Sequence, residues 1–507
     1  MTLDTSSPPL HVEGFRARHS YGVAGLSKSG TLVTVGALSL AAFLCTVVPS
    51  SLFLTLPVIL VGVALANTRL HGMSALAYHL AAHRWRRASH AEETSFRRVL
   101  LPFPDALELP GPAAATTLLR AHDPITGRSV GVVHDRRTGH MSLTTLLAPA
   151  GSLTAPLLTV ENQVRGWAGV LDGMAGDPRV KGASVTIQIT PGAGEALADD
   201  VALRADPDAP PLARALLEEL VRTTPRATAS VVPWLTVTVD PRPASGLSAE
   251  DAASLSPSRE RVRGGAERSG DVELFDKVAE ALRTVDAIDL SGTGTDVLRR
   301  ADDLDLRRLV RCAYDPAPAT LAAPDAAFRE LSWGECGPQA AEDGFTEYVH
   351  DGAVSQSWVL REMPHRPVPY SVLLPLLSPG RYQRRVTLLY RVLDPLAGQA
   401  VLEREIAHAE NRAHTTVHLK GRPTWAQRAD QRRAELAAAQ AARGAQVVDW
   451  TLIVTATADS AEALSSARQE VERAVAATRG IRLRPAFGAQ AATFAAGLPL
   501  GCHPLVD

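Results

Sequence analysis

Cysteine, aromatic side chains and an excess of charge of either sign are all scarce in this chain of 507 residues. The four cysteines, Cys45, Cys312, Cys336 and Cys502, form no CxxC or Cys/His spacing, which argues against a structural zinc site and a secreted disulfide framework. The 52 Lys and Arg nearly balance the 54 Asp and Glu, for a net charge of -2. Because no global positive field indicates a nucleic-acid partner, we expect no direct binding of nucleic acid.

Motifs of the common catalytic centres are also missing. The chain contains no G-x-x-x-x-G-K-[ST], G-x-S-x-G or HExxH, which excludes the standard phosphate loop, the hydrolase nucleophile elbow and the zinc-protease helix. The nearest approach is Ser291-Gly292-Thr293-Gly294-Thr295-Asp296, which could hold a phosphate on backbone amides at the start of a helix. This segment has no lysine and no third glycine, so a turn with a helix N-cap is the simpler interpretation.

Acidic and histidine clusters give no firmer site. Asp199-Asp200 and Asp302-Asp303-Asp305 could hold a cation, but such runs are also typical of acidic helix starts and solvated faces. His79 and His83 lie four residues apart on a predicted helix without a third ligand. We therefore predict no catalytic, cofactor-binding or metal-binding residue, no cofactor, and a protein that is not an enzyme.

Residues 31–67 form the longest run without a charged side chain, reading TLVTVGALSLAAFLCTVV, PSS and LFLTLPVILVGVALAN. A single helix of this length would extend about 55 Å, nearly twice the thickness of a bilayer core. Two passes of roughly 16 to 18 residues, joined by a turn at Pro49-Ser50-Ser51, fit the bilayer better. We therefore predict a transmembrane hairpin at 31–67. The alternatives are a cleaved signal peptide and a buried helical hairpin.

Basic residues flank this run on both sides. Arg16, Arg18 and Lys28 precede it, and several arginines between 69 and 98 follow it, so the positive-inside rule places both ends in the cytoplasm. We expect a multi-pass protein of the cell membrane, with a cytoplasmic tail at 1–30, a basic juxtamembrane helix at 68–100, and the lipid bilayer as a partner. The apolar side of that helix could lie at the membrane interface.

The remaining chain alternates between strand and helix periodicity. Residues 113–240 predict a first α+β domain in the order βββαβαβ, including a helix on which Leu212, Leu216 and Leu220 share one stripe. Residues 241–270 are polar and rich in Pro, Ser, Gly and Arg, which predicts a flexible linker. Residues 271–507, with one helix predicted at 295–312, form a second α+β domain with ferredoxin-like, split βαβ elements. The predicted fold class is therefore membrane-anchored α+β.

Several short segments resemble one family of membrane proteins. They are Arg18-His19-Ser20-Tyr21-Gly22, Val160-Glu161-Asn162-Gln163-Val164 with Trp167, Asp206-Pro207-Asp208-Ala209-Pro210, LVRCAYDP at 309–316, Trp358 with Pro364, and Gln490, Phe494, Leu498, Pro499 and Gly501. The chain resembles an actinobacterial family from conjugation-like gene clusters, in which a small VirB-type inner-membrane subunit looks fused to the N-terminal domain of the large VirB-type conjugation ATPase. The last segment is similar to the Q-x-x-x-F-x-x-x-L-P-x-G stretch that precedes the motor domain in conjugation ATPases.

The resemblance implies a non-enzymatic inner-membrane scaffold of a conjugation-like type IV secretion or DNA-transfer apparatus. Because the phosphate loop of the motor is missing, it implies that a separate Walker-type ATPase supplies the energy, in an oligomeric assembly with other secretion subunits. Two alternatives stay open. One is the EccE-type subunit of type VII secretion, which also pairs two N-terminal passes with a cytosolic body. The other is a membrane-anchored enzyme with an unrecognised site at 291–296 or at the acidic clusters.

Overall fold

Thirteen strands among the residues that the structure describes hydrogen-bond edge to edge in one sheet. The computed structural model describes residues 68–98, 108–149 without 124–125, 155–191, 209–223, 229–242, 266–362, 368–393 and 447–503 without 479, together with residue 151, His11–Val12 and scattered positions within 35–57 and 398–439. The strands are β1 (His11–Val12), β2 (Arg69–Leu70), β3 (Met73–Ser74), β4 (Ser95–Arg97), β5 (Thr116–His122), β6 (Ser129–Asp135), β7 (Met141–Pro149), β8 (Val180–Thr190), β9 (Ser230–Val239), β10 (Thr295–Arg300), β11 (Ala340–Asp343), β12 (Tyr348–His350), β13 (Ala353–Glu362), β14 (Val368–Pro369), β15 (Gln383–Val392), β16 (Val448–Ala458) and β17 (Arg482–Pro485). The helices are α1 (Ala75–His90), α2 (Leu157–Gly176), α3 (Pro211–Thr223), α4 (Ala266–Asp286), α5 (Asp303–Tyr314), α6 (Pro318–Leu321), α7 (Asp325–Glu330), α8 (Trp333–Cys336), α9 (Leu374–Leu377), α10 (Ala461–Ala477) and α11 (Gln490–Ala496).

Neighbouring strands of this sheet are antiparallel. Across its width the order is β4-β11-β12-β13-β16-β15-β8-β9-β7-β6-β5, with β10 also paired to β7 and β17 also paired to β13. Two separate two-stranded sheets consist of β1 with β14 and of β2 with β3. The described chain is therefore an α+β fold with a large antiparallel sheet.

The strands β7, β8, β9 and β10 form a first unit, which we call the N-unit. Helix α2 connects β7 to β8, and α4 connects β9 to β10. Because β9 lies between β7 and β8, and β7 lies between β9 and β10, each of these helices makes a split βαβ connection. The order across the sheet is β8-β9-β7-β10.

The strands β13, β15, β16 and β17 form a second unit, the C-unit, with the same arrangement. Helix α9 lies between β13 and β15, α10 connects β16 to β17, and the order across the sheet is β15-β16-β13-β17. The second strands of the two units pair with each other, from Gly182 opposite Arg391 to Ile189 opposite Arg384. The strand pairings of the two units are thus related by an approximate two-fold axis through the opposed residues Thr186 and Thr387.

The predicted division of the chain at 241–270 lies inside this arrangement. Strand β10 falls in the predicted second domain but belongs to the N-unit, and α4 begins at Ala266, within the predicted linker. The sheet continues from one predicted domain into the other through β8 and β15. Residues 243–265, the greater part of the predicted linker, lie outside the described residues.

Each unit buries its own apolar core on the same face of the sheet. The N-unit core joins α2 and α4 to the strands through Met141, Leu143, Val170, Met174, Val237, Ala281, Leu282 and Val285. The C-unit core joins α9 and α10 to the strands through Trp358, Leu376, Val386, Leu452, Val454, Ala467 and Val471. These strand residues alternate with small hydroxyl residues, as expected when each face of a sheet has a different environment. The opposite face therefore carries a polar row.

The predicted membrane anchor is wrong on the evidence of the described residues. No helix among them combines the length and the apolar composition that a bilayer span requires. An uncharged run supplies only the hydropathy of a span, whereas a span also needs an unbroken helix of about 20 residues. Most of the predicted hairpin at 31–67 lies outside the described residues. The expected membrane-anchored fold class and the multi-pass localisation are corrected to the α+β fold described above.

The basic segment at 68–100 contains the predicted helix, as α1, but the aromatic side of this helix contacts protein. The ring of Tyr78 lies 5.5 Å from the ring of Phe345 and 5.3 Å from that of Phe487. The indole Nε1 of Trp85 donates a hydrogen bond to the carbonyl oxygen of Asp343 at 2.8 Å. Packing against the end of β11 and the residues after β17 therefore replaces the interfacial position expected from the sequence.

Residues 295–312, predicted as a single helix, form β10 and α5 instead. Strand β10 pairs with β7, so tertiary pairing overrides the local pattern. Helix α5 begins after Asp302, whose carboxylate accepts a hydrogen bond from the backbone N–H of Asp305 at 2.8 Å. The Asp305 carboxylate in turn accepts from the backbone N–H of Asp302 at 3.0 Å. This reciprocal capping box fixes the start of the helix.

Candidate functional site

Five pairs of buried hydroxyl groups cross the sheet on the face opposite the two apolar cores, which we call the hydroxyl face. The oxygen–oxygen distances are 3.0 Å for Ser142–Thr238, 2.9 Å for Thr144–Thr236, 2.9 Å for Thr186–Thr387, 2.9 Å for Ser357–Thr455 and 2.8 Å for Ser355–Thr457. The Thr186–Thr387 pair lies at the two-fold axis, and the other four pairs correspond across it. Because each hydroxyl has a partner, the row can be buried without losing hydrogen bonds.

The last described segment of the chain, residues 490–503, covers this face from the C-unit to the N-unit. Gln490 is fully buried beside β13, where its Oε1 accepts from the backbone N–H of Ser357 at 2.8 Å. Its Nε2 donates to the carbonyl oxygen of Ala486 at 3.0 Å. At Gly497 an added Cβ would lie 3.4 Å from Thr387 Oγ1, at the two-fold axis. The segment therefore crosses the junction between the two units.

Gly501 ends the crossing on the N-unit. Its φ is +67°, in the left-handed region that favours glycine. A Cβ at this position would overlap Ser142 Oγ and lie 2.7 Å from Thr238 Oγ1. The last glycine of the Q-x-x-x-F-x-x-x-L-P-x-G phrase is therefore required both by its backbone conformation and by its contact with a hydroxyl pair.

Arg385 is buried beneath this segment, with 2% of its surface exposed. Its guanidinium carbon lies 4.3 Å from the ring centroid of Phe494, within the range of a cation–π contact. None of its three side-chain nitrogens has a hydrogen-bond partner among the described residues. Burial lowers the pKa of Arg385 to about 10, so the side chain remains charged at neutral pH. The Phe494 ring, the second motif position, thus covers a desolvated cation.

His350 lies in the same buried layer as a neutral structural group. Its Nδ1 is 2.7 Å from the carbonyl oxygen of Tyr314, to which it donates, and its Nε2 accepts from Ser355 Oγ at 2.8 Å. Burial lowers the pKa of His350 to about 3. The sequence places this histidine among polar residues, whereas the fold surrounds it with aromatic rings, including that of Phe494 at 5.0 Å. Both ring nitrogens are satisfied, so the group offers no free base.

A cavity of about 390 Å³ opens beside the end of the C-terminal segment, on the N-unit side of the hydroxyl face. Its walls come from the turn between β6 and β7, the start of β8, and residues 500–503. The charged and imidazole side chains in the lining are those of Asp135, Arg137, His140, Lys181 and His503. The Ser142–Thr238 pair also lines this cavity. Polar groups from distant parts of the chain therefore converge on one concave surface.

The segment at 291–296, considered above as a phosphate loop, precedes a strand and not a helix. Ser291–Thr293 form a single 3-10 turn and Thr295 begins β10. The Asp289 carboxylate accepts from the backbone N–H of Ser291 at 2.9 Å and from its hydroxyl at 3.0 Å. The predicted helix N-cap is therefore wrong, because a strand and not a helix follows this turn.

The acidic cluster after β10 has structural partners. Asp303 forms an ion pair with Arg120, Asp305 pairs with Arg299, and Asp302 and Asp305 cap α5. No group of three or more His, Cys, Asp or Glu side chains in the described part of the chain is arranged to hold a metal ion. Asp199 and Asp200 lie outside that part.

Sequence reasoning did not find the cavity, because no spacing in the sequence links its walls. Arg137, Lys181 and His503 lie on three segments that meet only through the sheet and the C-terminal crossing. The one available signal was the phrase that ends at Gly501, which marks the segment closing the cavity.

A scan of the chain against protein-family models and a search among curated proteins both found no match.

Proposed function

We propose that this chain is a non-enzymatic scaffold component of a conjugation-like type IV secretion or DNA-transfer apparatus, which docks a separate Walker-type ATPase. The observation that carries the proposal is the exposed apolar stripe of α3. Leu212 and Leu216, which the sequence places on one stripe of this helix, are 81% and 71% exposed. Two leucines on adjacent turns of one helix face present an apolar surface of the kind that binds a partner protein.

The C-terminal segment supports the same proposal. In the conjugation ATPases that the chain resembles, the phrase Q-x-x-x-F-x-x-x-L-P-x-G precedes the motor domain. In this chain Gln490, Phe494 and Gly501 of that phrase are built into the hydroxyl face. The paired units and this segment thus correspond, on the resemblance, to the part of such an ATPase that precedes its motor. A scaffold of this kind would require an ATPase supplied by another chain.

Affinity purification of the tagged chain from its native host tests the proposal. We expect a Walker-type ATPase and other secretion subunits to be recovered with the full-length protein. The double variant Leu212→Gln/Leu216→Gln is expected to lose the ATPase, because it removes the apolar stripe without adding charge. The matched control is Arg214→Gln/Glu218→Gln, which places two glutamines on the opposite side of α3, preserves the net charge, and should retain the ATPase.

Recovery of the wild-type protein without an ATPase would contradict the proposal, as would equal loss of the ATPase in the variant and its control. The identity of the recovered ATPase also separates the two secretion systems. A conjugation-type ATPase supports the proposal, whereas a type VII ATPase supports the EccE-type alternative.

A further inference from the structure

We propose that the cavity beside the C-terminal segment binds a small anionic ligand that carries a phosphate or a carboxylate group. The proposal goes beyond the docking function, since α3 does not line the cavity. The volume of about 390 Å³ falls within the range of small-molecule sites. A concave space of this size fits a compact ligand, and not the surface of a macromolecule.

The charges in the lining leave a cationic excess. Arg137 and Lys181 are its cations and Asp135 is its carboxylate. The oxygens of Asp135 already accept hydrogen bonds from the backbone N–H of Arg137 at 2.9 Å and from Thr138 Oγ1 at 3.0 Å. Lys181 Nζ donates to the carbonyl oxygen of Pro178 at 2.9 Å, which leaves two of its three protons. The cations therefore retain donors for a ligand, while the carboxylate serves the turn.

One carboxylate outside the lining is also engaged. Asp240, which acts electrostatically on His140, forms a two-contact ion pair with Arg242, with distances of 2.7 Å to each of its oxygens. It does not line the cavity. Asp240 is thus neutralised by its own arginine, and because Asp135 is the one carboxylate among the described residues of the lining, Arg137 and Lys181 leave one positive charge in excess at the cavity wall. An anion is the ligand class that such a wall attracts.

Two imidazoles add neutral hydrogen-bonding groups. Burial lowers the pKa of His140 and lowers that of His503 to about 4, so both rings are uncharged at neutral pH. The ring of His503 lies close to the backbone of Tyr390, which favours its protonated form, although neither ring nitrogen makes a hydrogen bond of good geometry to a described residue and both are shielded from solvent. The two imidazoles therefore line the cavity with polar groups that add no positive charge at neutral pH.

Calorimetric titration of the full chain at low ionic strength tests the proposal, with inorganic phosphate as one probe and citrate as the other. We expect saturable binding of at least one probe, and the probe that binds identifies the group recognised. Arg137→Gln should weaken binding at least tenfold, because it removes one of two cations. The control Arg136→Gln removes the same charge from the adjacent exposed position, outside the lining, and should change affinity less than twofold.

A second variant tests the position of the ligand without changing charge. Ala492→Leu adds volume at the lining and should weaken binding at least tenfold. If urea unfolding shows that Ala492→Leu does not fold, Lys181→Gln tests the charge of the lining instead, because it removes the second cation and should also weaken binding at least tenfold. Absence of binding by both probes would overturn the proposal. So would equal loss in Arg136→Gln and Arg137→Gln. Failure of ATPase recovery leaves this titration unaffected, so the two proposals can fail separately.

Discussion

Replacing Gly501 by alanine should destabilise the protein through two separable effects. The first is conformational, because the φ of +67° costs an L-residue roughly 1–2 kcal/mol. The second is steric, because the new Cβ would overlap Ser142 Oγ and approach Thr238 Oγ1 to 2.7 Å. Overpacking of a buried site typically costs about 1–3 kcal/mol. We therefore expect Gly501→Ala to lower the free energy of unfolding by about 2–5 kcal/mol.

Gly127 provides a control for the conformational effect alone. Its φ is +68°, but a Cβ there would meet nothing within 4 Å. Gly127→Ala should therefore cost only about 1–2 kcal/mol. The difference between the two variants measures the contact of the C-terminal segment with the hydroxyl face. A third variant, Gly501→Ala/Ser142→Gly, removes the overlapping Ser142 atoms and should recover part of that difference.

Urea unfolding followed by circular dichroism gives the comparison, with hydrogen–deuterium exchange of residues 490–503 as a local measurement. Exchange is needed because a chain of 507 residues exceeds the size at which two-state unfolding is expected. Gly501→Ala should increase exchange in 490–503, and Gly127→Ala should not. If both variants shift the unfolding curve equally and leave this exchange unchanged, the segment does not pack on the hydroxyl pair and the reasoning is refuted.

Two further predictions concern the buried polar groups of the sheet. Thr186→Val and Thr387→Val should each lower the free energy of unfolding by about 1–2 kcal/mol, because each variant leaves the other hydroxyl without its partner. The double variant should cost less than the sum of the two single variants. If urea unfolding shows that the two costs simply add, the two hydroxyls do not bond to each other. Since the pKa of His350 is about 3 in the folded protein and about 6.5 when unfolded, the unfolded state binds more protons between these values. Stability is therefore lost as pH falls through that window, and His350→Gln should reduce the loss between pH 7 and pH 5 by about 2 kcal/mol. An unchanged pH dependence in this variant would contradict the assigned burial.

The sequence pattern predicted strands best where both faces of the sheet are buried. In β16 the apolar residues Leu452 and Val454 alternate with Thr455 and Thr457, and the structure places the two sets on opposite faces. Alternation is visible here because one face packs on a helix while the other carries hydroxyl pairs. The order βββαβαβ predicted for residues 113–240 agrees with the observed order β5, β6, β7, α2, β8, α3 and β9.

Strand β10 was missed because its burial does not alternate. It lies at the edge of the N-unit, where Val297 is 50% exposed and Leu298 is 61% exposed. Because neither face of this strand is buried, apolar and polar residues do not alternate along it. The acidic residues that follow the strand favour a helix. The true start of the helix is the capping box at Asp302. A pattern that reports burial cannot locate a strand that is held by backbone pairing with β7 and by polar contacts of its arginines.

The leucine stripe of α3 shows what periodicity predicts and what it leaves open. The spacing of Leu212 and Leu216 correctly predicts an amphipathic helix, which the structure confirms as Pro211–Thr223. Periodicity defines an apolar face but not what covers it, and both leucines are largely exposed. The sequence therefore predicted the helix and its stripe but not the exposure of the stripe. That difference is what makes the stripe informative about a partner.

The two-fold relation of the units is hidden in the sequence because the two faces of the sheet are constrained differently. On the hydroxyl face, Ser142 and Thr144 correspond to Ser355 and Ser357, since a buried hydroxyl pair tolerates only side chains of this size and polarity. On the opposite face, Leu143 corresponds to Gln356, because each unit packs on its own helices. Small polar residues carry little signal in a sequence comparison, so the positions at which the two units agree are also the hardest to recognise in the sequence.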